Sequence, residues 1–243
     1  MMRQALGFAF VATFVTAALG TVALAQPSAG DGKPASAPAQ PRPVVVKRVG
    51  DAYPFADCPV CGKPLDAAGK PVVRVLDGRE VRFCTEADAE TFEKDAAANW
   101  AKIDERIIKD QAPLYPLDTS VVSGKPLGAA PVQVVVGNRL VRLADAAEKE
   151  TLLKEPARYL ADLDKAVIAR QGRDYPAKVC IVSDEDLGSM GEARDAVVAG
   201  RLIRLCCKGC LRDLDRSPAK FIARIDELRK GAPAGGKPAP AKP

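Results

Sequence analysis

The dipeptide Tyr-Pro occurs at positions 53, 115 and 175, and the same succession of patterns follows each copy. Recurrence at spacings of 62 and 60 residues confines the chain to a tandem architecture. A unit of that length is too short for a large core, so it must fold as a small module or lean on its neighbours. The residue content agrees: 47% of residues are hydrophobic but only 5% aromatic, which suits several small cores better than one large one.

Within each copy a short loop ends at Leu65, Leu127 or Leu187, and an alternating apolar run, a two-residue turn and a second run follow. These read Val72–Leu76, Asp77-Gly78 and Arg79–Phe83; Val132–Val136, Gly137-Asn138 and Arg139–Leu143; and Asp195–Val198, Ala199-Gly200 and Arg201–Leu205. Period-two alternation broken by Gly or Asn, which accept positive φ, predicts β-hairpins. The period then turns helical, with Phe92, Leu152 and Leu214 at matching positions on one face. Glu155-Pro156 and Ser217-Pro218 restart a second helix at a first-turn proline, carrying Tyr159, Leu160 and Leu163 or Phe221, Ile222 and Ile225; Trp100 and Ile103 fill the same face in the first copy. The expected fold class is α+β: three tandem small modules of knuckle, hairpin, helix and second helix, at 50–112, 113–172 and 173–230.

That register gives the cysteines meaning. In the first copy Cys58 and Cys61 flank a tight turn before the hairpin, Cys84 ends the second strand, and Asp88 lies four residues on. A turn thus offers two ligands and a helix start two more, enough to close a tetrahedral, sulfur-rich metal site. The third copy has Cys180 for Cys58, Ser183 for Cys61, and Cys206 and Cys210 for Cys84 and Asp88; Cys207 adds a further sulfur, about 100° around a helix from Cys206. Met190, in a Gly-Ser-Met-Gly loop, is a candidate thioether ligand for Cu(I), or else packing or exposed surface. The middle copy holds Ser120, Ser123, Ala144 and Glu148 at these positions, so it carries no thiolate site and is expected to be structural.

The runs Cys58-Pro59-Val60-Cys61-Gly62, Arg82-Phe83-Cys84 and Leu205-Cys206-Cys207-Lys208-Gly209-Cys210, the last followed by Leu214 and Pro218, resemble the TRASH and YHS group of treble-clef domains over roughly residues 50–230. The resemblance is best in the third copy. It implies treble-clef-like modules and a role in sensing, trafficking or resistance for heavy metals, or zinc-supported structure. Carried over by position, it implies ligation by Cys58, Cys61 and Cys84, and by Cys180, Cys206 and Cys210; Asp88 and Ser183 depart from its sulfur pattern.

The ends carry an address. Arg3 precedes an apolar run from Ala5 to Leu24 that closes on Ala23-Leu24-Ala25, which predicts a signal peptide over 1–25, cut after Ala25, and a periplasmic or secreted protein with no membrane span afterwards. An uncleaved anchor is the alternative. The Pro- and Ala-rich stretches 26–49 and 231–243 are expected to be a disordered linker and tail. A net charge of +5 is too mild for a nucleic-acid partner.

With no histidine in the chain, proton-transfer catalysis loses its commonest side chain, and metal chemistry must run on sulfur and carboxylate. The expectation is a non-enzymatic binder of Zn(II) or Cu(I), with the metal ion as its partner and any protein partner unspecified. Two readings compete with it. Structural disulfides would pair Cys58 with Cys61 and Cys180 with Cys206, Cys207 or Cys210. A thiol-disulfide oxidoreductase would use Cys58 and Cys61, although that pair precedes a hairpin instead of opening a helix.

Overall fold

Each expected two-residue turn closes a hairpin in the computed structural model, which describes residues 47–67 and 69–231. Strand β1 (Val72–Leu76) pairs antiparallel with β2 (Arg79–Phe83), β3 (Val132–Val136) with β4 (Arg139–Leu143), and β5 (Arg194–Val198) with β6 (Arg201–Leu205). Only β5 departs from its expected bounds, starting one residue early because Arg194 pairs with Leu205. Both residues of every turn have positive φ: 50° and 77° at Asp77 and Gly78, 53° and 63° at Gly137 and Asn138, 48° and 74° at Ala199 and Gly200. Turns of this hand match the twist of the flanking strands. Alanine is strained there, and Asp51 offsets the strain at Ala199 by accepting a hydrogen bond from its N–H at 2.6 Å.

Two helices follow each hairpin: α1 (Glu86–Lys94) and α2 (Ala96–Gln111), α3 (Glu148–Lys154) and α4 (Pro156–Gln171), α5 (Lys208–Arg216) and α6 (Pro218–Gly231). A single residue separates the members of each pair. Asp95, Glu155 and Ser217 take φ of −138°, −134° and −136° with ψ near 55°, which ends one helix and starts the next at an angle. Pro156 and Pro218 fit the restart because a first-turn N–H has no helical acceptor to lose. The expected helix faces are buried, with Phe92, Leu152 and Leu214 on the first helices and Ile103, Leu163 and Ile225 on the second. Six α-helices and three two-stranded antiparallel sheets among the described residues make this an α+β chain.

The three repeats are interlocked. Apolar side chains of the first and middle repeats merge in one core, while the third has its own around Ile203, Leu205, Leu214, Phe221 and Ile225. Polar groups bridge the rest. At the end of α2 the Gln111 amide donates to the Asn138 carbonyl and accepts from the Leu140 N–H, both at 2.9 Å; Gln171 at the end of α4 does the same for Gly200 and Leu202, both at 2.8 Å. One side chain thereby satisfies two backbone groups of the next repeat, which would be costly to bury unpaired.

The first residue of each second strand is an arginine that pairs with an aspartate in its own second long helix: Arg79 with Asp104 at 2.5 Å, Arg139 with Asp164 at 2.7 Å, and Arg201 with Asp226 at 2.9 Å. The latter two each hold a further carboxylate from the first repeat, Asp51 for Arg139 and Asp110 for Arg201. Burying these guanidinium groups is tolerable only because they are paired in this way. Contact closes back from third repeat to first, where Arg82 donates to the Arg216 and Asp215 carbonyls at 2.5 and 2.6 Å, acceptors that the end of α5 leaves without helical partners.

The expected leader over 1–25, most of the 26–49 linker and the tail beyond Gly231 lie outside the described residues. At the linker's end, however, the Val49 N–H bonds to the Gly78 carbonyl at 2.7 Å and Arg48 pairs with Glu80 and Asp215, so both residues belong to the folded part. Among the described residues no helix is long and apolar enough to cross a membrane.

Candidate metal centres

The knuckle before each hairpin has one backbone design. Its first residue donates to the carbonyl five residues on (Cys58 to Lys63 at 2.8 Å, Ser120 to Lys125 at 2.8 Å, Cys180 to Glu185 at 2.7 Å) and accepts from the N–H four residues on. That fourth residue turns the chain at positive φ, 68° for Gly62, 73° for Gly124 and 62° for Asp184. Asp184 replaces glycine there because aspartate is among the side chains best able to enter this region; its carboxylate is also held by Arg224. The knuckle thus points its first side chain and the one three residues on (Cys61, Ser123 and Ser183) toward the end of the second strand in all three repeats.

In the first repeat this geometry gathers Cys58, Cys61, Cys84 and Asp88, one ligand atom from each lying within 4.8 Å of all the others. The Cys61 sulfur is 3.7 Å from the Cys84 sulfur and 3.7 Å from Asp88 Oδ2. Zinc bound to sulfur at about 2.3 Å in a tetrahedron needs sulfurs about 3.8 Å apart, which the Cys61–Cys84 pair matches. Thr85 caps α1, accepting from the Asp88 N–H at 3.2 Å and donating to Asp88 Oδ2 at 2.9 Å, which fixes the carboxylate at the rim. Cys58 and Cys84 are buried while Cys61 is exposed, leaving one open side. Burial, reinforced by the neighbouring Cys61 and Cys58, pushes the Cys84 thiol up to about 12.

The third repeat gathers Cys180, Cys206 and Cys210, all buried. Cys206 and Cys210 sulfurs stand 3.7 Å apart, and the Ser183 hydroxyl, at the position of Cys61, lies 3.3 Å from Cys206 Sγ. Three sulfurs and a hydroxyl replace three sulfurs and a carboxylate. Burial pushes the Cys210 thiol up to about 12. Burial also opposes ionisation of Cys180, but hydrogen bonds from the Cys206 N–H, the Ser183 hydroxyl and the Val182 and Ser183 N–H groups outweigh it and bring that thiol down to about 7.

Cys207 is not part of the three-sulfur group. Neither it nor Cys206 is inside a helix, contrary to the angular argument from sequence: Cys207 is the extended residue capping α5, and its sulfur lies 3.7 Å from Cys210 on the outer side. The Cys210 N–H and thiol, turned toward its sulfur without cap-bond geometry, lower its pKa. Met190 is exposed on its loop.

The middle repeat fills the same space with a hydrogen-bonded knot. Ser120 donates to Glu148 Oε2 and Ser123 to Glu148 Oε1, and the Ala144 N–H donates to Oε2 at 3.1 Å. Glu148 is one methylene longer than Asp88 and carries its carboxylate inward between the hydroxyls, becoming buried itself. This role for Glu148 was not foreseen, although its register with Asp88 and Cys210 was the available signal.

No protein-family model, curated protein or solved structure matches the chain. The cysteine-rich groups can hold metal ions, and it is their geometry that carries the functional reading.

Proposed function

We propose that this chain is an exported binder of soft or borderline metal ions, Zn(II) or Cu(I), which it buffers or delivers without turnover. The observation that carries the reading is the convergence of sulfurs from a knuckle and a helix start twice in one molecule, at 3.7 Å spacings suited to a shared cation. Thiolate-dominated donor sets favour Zn(II) and Cu(I) over hard cations such as Mg(II) or Ca(II). The middle repeat supports binding over mere scaffolding, because the same backbone folds there around a carboxylate knot. Ions in the outer repeats are therefore cargo, not a condition of the fold. The resemblance to TRASH and YHS treble-clef domains agrees with this role, and the apolar leader ending at Ala25 supports export.

Metal analysis and intact-mass measurement of the chain, purified from the periplasm without added metal, test the reading. The expected result is one ion for each of the two clusters and, after stripping, seven free thiols. Three disulfides and no bound metal in the protein as isolated would overturn it.

A further inference from the structure

Six of the seven thiols belong to the two clusters, and Cys207 stands outside them. At its position the other repeats carry an oxygen that accepts from N–H groups at the helix start. Thr85 caps α1 in the first repeat, and in the middle one the Asp145 carboxylate accepts from the Ala147 and Glu148 N–H groups at 3.0 and 3.3 Å. Cys207 makes no side-chain cap bond to α5. The third repeat thus forgoes a contact worth about 1 kcal/mol in other helices and places there a partly exposed sulfur 3.7 Å from the buried sulfur of Cys210.

The spacing is Cys-x-x-Cys with the first cysteine at the helix cap and the second in the first turn, the arrangement in which thiol–disulfide exchange pairs are found. The Cys58 and Cys61 pair lacks this placement, since both precede the hairpin. Their sulfurs would close from 3.7 Å to a bond of about 2.05 Å.

We infer that Cys207 and Cys210 form a reversible disulfide that withdraws Cys210 from the third-repeat metal site, so that a small-molecule disulfide releases the ion held there. The inference rests on the metal-binding reading for its consequence but not for the disulfide itself. The Cys207 thiolate attacks one sulfur of a low-molecular-weight disulfide such as oxidised glutathione; that S–S bond breaks, one thiolate leaves, and Cys207 carries the other half as a mixed disulfide. The Cys210 sulfur then attacks the Cys207 sulfur and expels the second thiolate. Two protein sulfurs are oxidised and one small disulfide is reduced to two thiols; one takes the proton that Cys207 gave up and the other draws its proton from solvent, because Cys210 had already lost its own on binding the ion. The cation keeps Cys180 and Cys206 and loses its third sulfur.

The first repeat responds differently. All three of its thiols are ligands when the ion is bound, and Thr85 occupies the position of Cys207, so no free sulfur adjoins the loaded site. Release by exchange is confined to the third repeat.

The test uses the full chain loaded with Zn(II), titrated with reduced and oxidised glutathione, with zinc content and disulfide mapping by mass spectrometry as readouts. The wild type is expected to lose one of two ions as a Cys207–Cys210 disulfide forms, and to regain it on reduction. Cys207→Thr, which installs the first repeat's own capping residue, is expected to keep both ions over the same range. Equal loss from this variant, or a first disulfide between Cys61 and Cys84, overturns the inference. A reduced wild type that takes up no zinc yet forms the Cys207–Cys210 bond overturns the metal reading while the exchange pair stands. Zinc binding without that bond overturns the exchange pair alone.

Discussion

The middle repeat and its two neighbours share a backbone but solve one packing problem in opposite ways. All three place side chains from the knuckle, the strand end and the helix start around a common point. In the outer repeats those side chains are mostly sulfurs, weak hydrogen-bonding groups that satisfy one another poorly and could hold a cation. In the middle repeat they are two hydroxyls and a backbone N–H, all donors, and Glu148 supplies the acceptor. The carboxylate does internally what an ion does from outside. The comparison teaches that one backbone accepts either filling, so neither sulfur nor metal is a condition of this fold.

The largest effect that would test this contrast is loss of a whole site. Cys84→Ser and Cys206→Ser should each remove one bound ion while leaving the other, measured as metal per chain after gel filtration. Replacing all three thiols of a cluster at once should do no more than the single change, and an intact second site in each variant would establish that the two act separately.

A lower pH should weaken both outer sites. Cys84 and Cys210, pushed up to about 12, hold their protons at neutral pH in the cation-free chain. Each must release a proton when it binds metal, so apparent affinity drops about tenfold for every proton displaced with each unit by which pH is lowered. Competition with a chromophoric chelator between about pH 8 and pH 6 would measure that slope, and a flat profile would contradict it.

In the middle repeat the sharpest single change is Glu148→Ala. It strands the two serine hydroxyls and the Ala144 N–H and should cost about 3 kcal/mol in urea unfolding, with no change in metal content. A smaller loss, about 2 kcal/mol, is expected from Gln111→Ala, which leaves the Asn138 carbonyl and Leu140 N–H without partners. If the first and middle repeats unfold as one unit, as their merged core implies, Gln111→Ala should shift a single transition without splitting it.

Some features were legible because they are local. Turn chemistry at Asp77-Gly78 and Gly137-Asn138, the change from period two to helical period, and the prolines at 156 and 218 act over a few residues, and the strands and helices fall where those signals lie. Repetition added the register, and with it the convergence of Cys58, Cys61, Cys84 and Asp88 and of Cys180, Cys206 and Cys210. Cys207 illustrates the limit: a helix that starts two residues later than supposed changes which way a neighbour's sulfur faces.

By itself, the sequence determined the repeat, its elements and which positions converge, because each depends on spacing along one stretch of chain. Only the tertiary structure decided how the repeats hold one another. Asp51 bonding to both Arg139 and Ala199, and Arg82 seated on the end of α5, join residues far apart along the chain. Whether a buried charge or amide finds its partner depends on which surfaces meet, and no periodicity records that.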